Sequence, residues 1–518
     1  MNKSERRLDV LFVIPGNLEQ VYQDLSRKHA TEPPAKARFV AAYLMRRGCG
    51  VDLIDANVDG FMPELMAEKV KELNPYLVVM PVYGFNPSSS TQTMPAARIF
   101  AQAIKNICPI TPIIIMGTHP AGLPQKTLQD EPIDYVCGGE GPITVNELLL
   151  FLKNGKDLND LKKIRSLWYW LDGKVVNNAP APLIDLNLEP ALPGWKLMDP
   201  RKYYAHDWHT FWRDFEDRTP YANPYSREGC PFSCGFCNIQ TPYQEGETLQ
   251  ANPNLNSFRT LRPELFVEEI EYLVNHYGIK YIKIPDEMFG LGDHPVKVAT
   301  LMKERFGDSI NSWAYFRVDT MNPKHAELYR SAGFRWTPFG IEAANSKVRS
   351  GQDKKFSDDH IRKIISKVES AGISLALNYI FGLPGDTMES MQETYDLAVE
   401  LNGVFANFYC NQALPISPQY LEAKKAGYPL PEREGGPGWI GHSQYSYETE
   451  PFYMGDALTP AQILAFRDKS HVDYYSRPEY RAMMLVDKNF GEIAMRNIDE
   501  WVSDIRSLRR KILEHNRQ

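Results

Sequence analysis

Cys230, Cys234 and Cys237 sit in the stretch Arg227-Glu-Gly-Cys-Pro-Phe-Ser-Cys-Gly-Phe-Cys-Asn238, separated by three residues and then by two. That spacing brings three thiolates to one side of a tight loop, where they can hold three corners of a cubane 4Fe–4S cluster. The fourth iron is then open to a substrate, a position that electron-transfer clusters usually close with a fourth Cys. Structural zinc requires four N or S ligands, commonly from paired CxxC units, and no second CxxC occurs in the chain. The triplet predicts an open iron–sulfur cluster.

Such a loop has to be carried by rigid elements, and the chain supplies two sets of them. In the first set, Val10–Ile14, Val51–Ile54, Leu77–Pro81 and Ile113–Met116 read as strands, with helices near Arg38–Arg47 and Ala96–Lys105. Strands alternating with helices predict a parallel sheet covered on both faces, here a doubly wound, Rossmann-like α/β domain over residues 8–150. Ligands of such sheets bind at the carboxyl ends of the strands, which singles out the loops after Ile14, Ile54, Pro81 and Met116. Residues 151–218 break the pattern, with a hairpin signal at Leu171-Asp-Gly-Lys-Val, prolines from Pro180 to Pro200, and the aromatics Tyr203, Tyr204, Trp208, Phe211, Trp212 and Phe215. This stretch reads as a connector whose rings glue it to its neighbours or wall a cavity. From 219 to 415 the alternation returns, with strands at Tyr281–Ile284, Ser312–Phe316, Trp336–Ile341, Ser374–Phe381 and Asn407–Gln412. With a first strand leading into the cysteines, about six βα units predict a partial, TIM-like (βα)6 barrel. Residues 416–518 read as mostly helical, with amphipathic helices after Thr459.

Composition narrows the partners. Acidic residues outnumber basic ones 65 to 58, for a net charge of −7, and no long basic run is present, so nucleic acid is not expected. No stretch approaches the ~18 apolar residues of a membrane span, and the apolar run before Pro15 is too short for a signal segment. The remaining cysteines, Cys49, Cys108, Cys137 and Cys410, stand alone among apolar neighbours and read as packing thiols. Together these features predict a cytoplasmic protein in a reducing compartment.

The cysteine spacing, with its flanking Gly-Cys-Pro and Cys-x-Phe-Cys, resembles the radical S-adenosylmethionine (SAM) enzymes, whose open iron chelates SAM. Gly340-Ile-Glu342 and Asn378-Tyr-Ile-Phe-Gly-Leu-Pro-Gly-Asp-Thr387 resemble that family's Gly-Ile-Glu and Phe-Gly-Leu-Pro-Gly-Glu-Thr segments. The resemblance implies that Arg317, Glu342 and Asn378 contact SAM, and that Asp286 or Glu287 meets its ammonium. Met116-Gly-Thr-His-Pro120 and Asp134-Tyr-Val-Cys-Gly-Gly-Glu-Gly-Pro-Ile-Thr144 resemble the Gly-Gly-x-His and Asp-x-x-x-x-Gly-Glu-Gly-Glu-x-Thr segments of cobalamin-binding domains fused before such barrels. Pro33-Pro34…Ala41-Ala-Tyr-Leu44 resembles their first helix. Thr118 and Pro142 depart from the pattern. By this resemblance the corrin is held by Tyr83, by Gly117, Thr118 and His119, and by Gly139, Glu140 and Gly141. The Asp-x-His-x-x-Gly motif that supplies a lower axial His in corrinoid carriers is absent. His29 is expected at the surface or in a loop, and His119 beside the corrin or its nucleotide tail. The tail segments Tyr445-Ser-Tyr-Glu-Thr449 and Leu458-Thr-Pro, with Phe466-Arg-Asp468, resemble tails of the same class.

The chain thus resembles a cobalamin-dependent radical SAM enzyme over residues 8–415. The resemblance implies three cofactors: a 4Fe–4S cluster, SAM and cobalamin. It implies methylation of an unactivated carbon in a small molecule of secondary metabolism, with one SAM methylating the corrin and another giving a 5′-deoxyadenosyl radical. The alternative is oxidative cyclisation or ring rearrangement with the same cofactors. A reductant protein such as flavodoxin or ferredoxin is the expected partner. No acid–base residue can be nominated, because the radical route does not require one.

Overall fold

In the computed structural model, residues 7–16, 29–83, 89–155, 157–244, 257–432, 451–486 and 491–515 are described. The amino-terminal sheet has seven strands: β1 (Val10–Ile14), β2 (Val51–Asp55), β3 (Leu77–Pro81), β4 (Ile113–Met116), β5 (Tyr135–Cys137), β6 (Leu167–Leu171) and β7 (Lys174–Asn177). Their order is β2-β1-β3-β4-β5-β6-β7. The first five are parallel. Strands β3 and β4 are apolar and buried along their whole length, as parallel strands covered on both faces are. Val10, Phe12, Leu77, Val79, Ile114 and Met116 face a core shared with α1 (Ala35–Arg46). The alternate residues Leu11, Val13, Val78, Met80, Ile113 and Ile115 pack under α2 (Pro63–Leu73) and α3 (Ser90–Ile107). Helix α4 (Pro142–Lys153) covers the first face with α1. The order reverses between β1 and β3, so the ligand crevice lies where Tyr83 follows β3.

The hairpin in the expected connector belongs to this sheet. Strand β6 pairs antiparallel with β5, and β7 with β6, so the sheet continues past residue 150 to Asn177. Local alternation reveals a hairpin but not its docking edge, which is chosen by Leu167, Trp168 and Tyr169, all buried.

The second sheet has six parallel strands in the order β15-β14-β13-β12-β11-β8. They are β8 (Tyr221–Ala222), β11 (Tyr281–Ile284), β12 (Asn311–Ala314), β13 (Phe334–Glu342), β14 (Ser374–Phe381) and β15 (Phe405–Cys410). A short antiparallel ribbon, β9 (Arg227–Glu228) with β10 (Arg259–Thr260), follows β8. The helices of the expected βα units include α5 (Pro263–Tyr277), α6 (His294–Phe306), α7 (Asp358–Ser370) and α8 (Met388–Leu401). The barrel is open between β8 and β15, and the exposed edge of β8 is covered by residues 29–36. Arg218 Nη2 donates to the His29 carbonyl (2.8 Å), Asn223 Nδ2 to the Pro33 carbonyl (2.8 Å), and Lys36 pairs with Glu228. A covered edge cannot recruit a foreign strand.

The aromatic segment corks the amino-terminal end of the barrel. The Trp208 ring lies 5.2 Å from Trp313, 5.2 Å from Trp336 and 5.5 Å from Phe405, centroid to centroid. Helix α9 (Pro460–Ser476) starts with a Thr459–Gln462 capping box. It packs with α10 (Pro478–Val486) and α11 (Glu492–His515) beside β15. The 445–449 segment lies outside the described residues. No described helix is long and apolar enough to cross a membrane.

Candidate functional site

The cysteine loop is anchored at both ends. Before it, Asp286 accepts hydrogen bonds from the backbone N–H of Ser226 (2.8 Å) and Arg227 (3.0 Å), and from the Ser226 hydroxyl. Arg227 donates to the carbonyls of Met288, Phe289 and Leu291. Gly229 is at φ +78°, and a Cβ there would stand 2.5 Å from the Ser257 carbonyl oxygen, so no other residue fits. At the far end Cys237 N–H donates to the Cys234 carbonyl (3.0 Å), which closes the turn.

All three thiols line one wall of a cavity of about 470 Å³. Burial pushes Cys230 up to about 12 and raises Cys237 as well, with Cys234 adding to the rise of both. Cys234 is also raised by burial, but Lys354 and Arg317 act against that rise. Three half-buried thiols that resist ionisation together need a strongly cationic partner to become thiolates. Among the described residues no three His, Cys, Asp or Glu side chains converge as they would on a single ion. Thiols spread along a cavity wall suit a multi-iron group.

The cavity is the barrel lumen. Inward positions alternate along each strand: Lys283, Pro285 and Glu287; Trp313, Tyr315 and Arg317; Pro338, Gly340 and Glu342; Ala376, Asn378 and Ile380; Phe405, Asn407 and Tyr409. Small residues on β13 and β14 keep open a space that closed barrels fill with side chains. Ser89 and Gln92, at the start of α3, line the same cavity, so both sheets reach it.

Each SAM candidate has a distinct setting. Asp286 is fully buried and committed to Ser226 and Arg227. Neither oxygen of Glu287 has a hydrogen-bond partner, although both are buried. Burial raises Glu287 to about 8, with Glu228 and Asp286 adding to the rise and Lys36 opposing it. Glu342 has φ +67°, an unfavourable conformation for a residue with a Cβ, and its carboxylate is paired with Lys354 Nζ at 2.5 Å. Asn378 Nδ2 donates to the Phe339 carbonyl at 3.4 Å. Arg317 is held by Asp319 and reaches Cys234.

Among the corrin candidates, Gly117, Thr118 and His119 are brought against the start of α3. His119 N–H donates to Ser90 Oγ (3.0 Å), and its Nδ1 lies 3.2 Å from Thr91 Oγ1. A Cβ on Gly117 would stand 2.3 Å from the Val82 carbonyl oxygen. The hydroxyls of Thr118 and Thr144 are buried without a hydrogen-bond partner, which leaves polar groups in both motif loops for a ligand with amide side arms. Gly139 and Gly141 flank Glu140, whose carboxylate is occupied by Arg259 of β10 (2.7 Å) and the Ile184 N–H (2.5 Å). The Tyr83 phenol is raised well above its ordinary range by burial, and its ring lies 5.9 Å from Lys36 Nζ.

Residues 29–149 match the B12 binding domain, and residues 226–398 match the Radical SAM superfamily. The chain belongs to the cobalamin-dependent radical SAM enzymes. Its cofactors are a 4Fe–4S cluster, SAM and cobalamin. An uncharacterised methyltransferase of Pyrococcus horikoshii is 27% identical over 474 residues, 91% of this chain and 93% of that one. An anaerobic magnesium-protoporphyrin IX monomethyl ester cyclase of Rubrivivax gelatinosus is 25% identical over 397 residues, 75% of this chain and 66% of the cyclase. The structure of TsrM, a radical SAM methyltransferase from Kitasatospora setae, superposes with a TM-score of 0.68 at 17% identity, covering 97% of this chain and 99% of TsrM. That last likeness is one of fold.

Two expectations need revising for this radical SAM enzyme. His29 is in a loop, as expected, but not at the surface; it is buried in the cavity wall, edge-on to His206 at 5.5 Å, and burial, with Arg218 adding, lowers it to about 3. Residues 29–34 are a loop held against the residues flanking β8 by Arg218 and Asn223, contacts that the local sequence does not announce. Cys410 does not merely pack; it lines the cavity, and burial raises its thiol to about 11 against the pull of Arg467. The aromatic segment serves both expected roles, since Trp208 and Trp212 pack against other rings and also line the cavity. Lys36, Glu228, Glu32, Lys283 and Lys354 also belong to the site, although no motif assigns them a role. A lone charge in an apolar stretch, such as Lys283 in Tyr281–Ile284, was the available signal.

Proposed function

We propose that this enzyme moves a methyl group from SAM, by way of cobalamin, to an unactivated carbon of a small molecule. The observation that carries the proposal is the cavity reached both by the three cysteines and by Ser89 and Gln92 of the cobalamin-binding domain. A volume of about 470 Å³ lies in the range of pockets that enclose a small ligand. When bound, the cluster supplies the electron that opens SAM, and the corrin carries the methyl group. Cys230, Cys234 and Cys237 hold the cluster. Glu287, the carboxylate without a partner, takes the SAM ammonium, while Asp286 positions the loop. Glu342, fixed by Lys354, and Asn378 orient the rest of SAM. The Thr118 hydroxyl and the His119 loop hold the corrin, and Glu140 ties the domains together instead of touching it. Most of the wall is apolar or aromatic, which excludes water from a carbon radical. An external one-electron donor of the flavodoxin or ferredoxin kind supplies the reducing equivalent.

The test uses anaerobically reconstituted enzyme with candidate substrates. Methylation gives a product heavier by one CH₂, with S-adenosylhomocysteine and 5′-deoxyadenosine formed in equal amounts. A product of unchanged carbon count without S-adenosylhomocysteine would support cyclisation instead, a reading that the similarity to the Rubrivivax cyclase favours.

A further inference from the structure

Arg317 stands at the end of β12, and its guanidinium is fixed on every side. Nε and Nη2 donate to the two Asp319 carboxylate oxygens at 2.9 and 3.0 Å. Nη2 also donates to the Asp353 carbonyl at 2.9 Å. The guanidinium carbon lies 3.8 Å from the centre of the Phe232 ring, inside the cysteine loop. Nη1 donates to Cys234 Sγ at 3.3 Å. The side chain is 7% exposed. Among the Arg residues of the barrel mouth, Arg227 is turned toward backbone carbonyls and Arg349 toward the Phe356 and Ala343 carbonyls. Arg317 alone among these three aims an N–H at a cluster cysteine.

We infer that Arg317 is a positioning residue for the cluster: it donates a charge-assisted hydrogen bond to the Cys234 thiolate and raises the reduction potential of the 4Fe–4S group. The electron that reduces the cluster adds negative charge, much of it on sulfur. A cationic donor at hydrogen-bond distance stabilises the reduced form more than the oxidised one. Low solvent exposure keeps that interaction from being screened. The Asp319 fork and the Phe232 face remove the freedom of the side chain, so the donor is already in place before the electron arrives. Stacking on Phe232 also braces the loop between Cys230 and Cys234. A lysine has no planar fork with which to hold Asp319 and reach sulfur together. The inference rests on the cluster being held by Cys230, Cys234 and Cys237, and not on the fate of the methyl group.

The test is an anaerobic redox titration of the reconstituted full chain without SAM, followed by electron paramagnetic resonance. In R317Q the midpoint shifts to more negative potential, and the ratio of reduced to oxidised cluster at a fixed potential falls about tenfold, as for loss of one hydrogen bond to a charged group. R317K shifts in the same direction by less. A midpoint unchanged in R317Q at full iron content overturns the inference; if SAM affinity falls in that protein, Arg317 is a SAM contact instead. Should R317Q fail to load iron, the unsubstituted protein labelled with ¹⁵N-arginine decides. Pulsed electron paramagnetic resonance of its reduced cluster shows a ¹⁵N coupling if the N–H to sulfur bond exists, and its absence overturns the inference. A protein that shifts as expected but yields no methylated product leaves this inference standing and removes the methyltransferase reading.

Discussion

Asp286 and Glu287 are adjacent carboxylates just after β11 with different work; burial raises both, and their hydrogen-bond donors separate them. Asp286 accepts two backbone N–H groups and a hydroxyl, so its charge is used to shape the loop. Glu287 has no such donors, and burial holds its carboxyl near 8. A cationic ammonium favours the ionised form, so binding SAM below pH 8 must expel the Glu287 proton. The sign follows: SAM affinity rises with pH toward about 8, with a slope approaching tenfold per pH unit well below it, and falls above as the SAM ammonium itself deprotonates. The E287Q protein should bind SAM more weakly and lack that rise. Calorimetry in two buffers of different ionisation enthalpy reads the released proton directly. Equal pH profiles for both proteins would assign the ammonium elsewhere. The cysteine triplet was legible because its chemistry is local in sequence. The choice between Asp286 and Glu287 was not, because it depends on Ser226 and Arg227, some sixty residues away in the chain.

At the scale of elements, strands with uninterrupted apolar runs are legible: β1, β3 and β4 have the expected bounds. What the sequence hid was how elements meet. Helix α2 was missed because its apolar positions Met66, Ala67 and Val70 are few and surrounded by charges, and the docking of β6 onto β5 is a tertiary choice. The Gly139-Glu-Gly141 turn shows the same limit at the site. As a motif it points to the corrin, yet Arg259 reaches across from β10 and takes both carboxylate oxygens. The pair is largely buried, with side chains 16% and 10% exposed. Removing the cation alone should cost on the order of 3 kcal/mol, because Glu140 is left charged and enclosed. R259M should therefore lower the urea midpoint, and adding E140Q should restore most of it. Both proteins should keep cobalamin. Were Glu140 a corrin contact, E140Q by itself would lose cobalamin while R259M retained it.

For the molecule as a whole, the two sheets share one hydrophobic core: Val10, Phe12 and Leu44 belong to the same packed cluster as Tyr221, Ile282 and Trp313. The amino-terminal half also places charge inside the barrel. Glu32, just before α1, pairs with Lys283 Nζ on β11 at 2.7 Å, with side chains 6% and 3% exposed. Lys283 lines the same cavity as the cysteines, and its ammonium lies 5.3 Å from the centre of the Trp313 ring. A barrel cut free at residue 219 would lose Glu32, the Lys36 partner of Glu228, and the Trp208 cork, and would expose the edge of β8. An isolated buried ammonium is costly enough to lose its proton or disrupt its surroundings. The fragment 219–518 is thus expected to aggregate or to reconstitute far fewer than about four irons per chain, whereas the full chain carrying E32Q loads its iron but unfolds at lower urea. Iron content and size-exclusion elution of the two proteins, reconstituted side by side, distinguish these outcomes. A monomeric fragment with a full cluster would mean that the cobalamin-binding half only docks on a finished barrel, and the covering segment 29–36 would then be packing without structural consequence for the cluster.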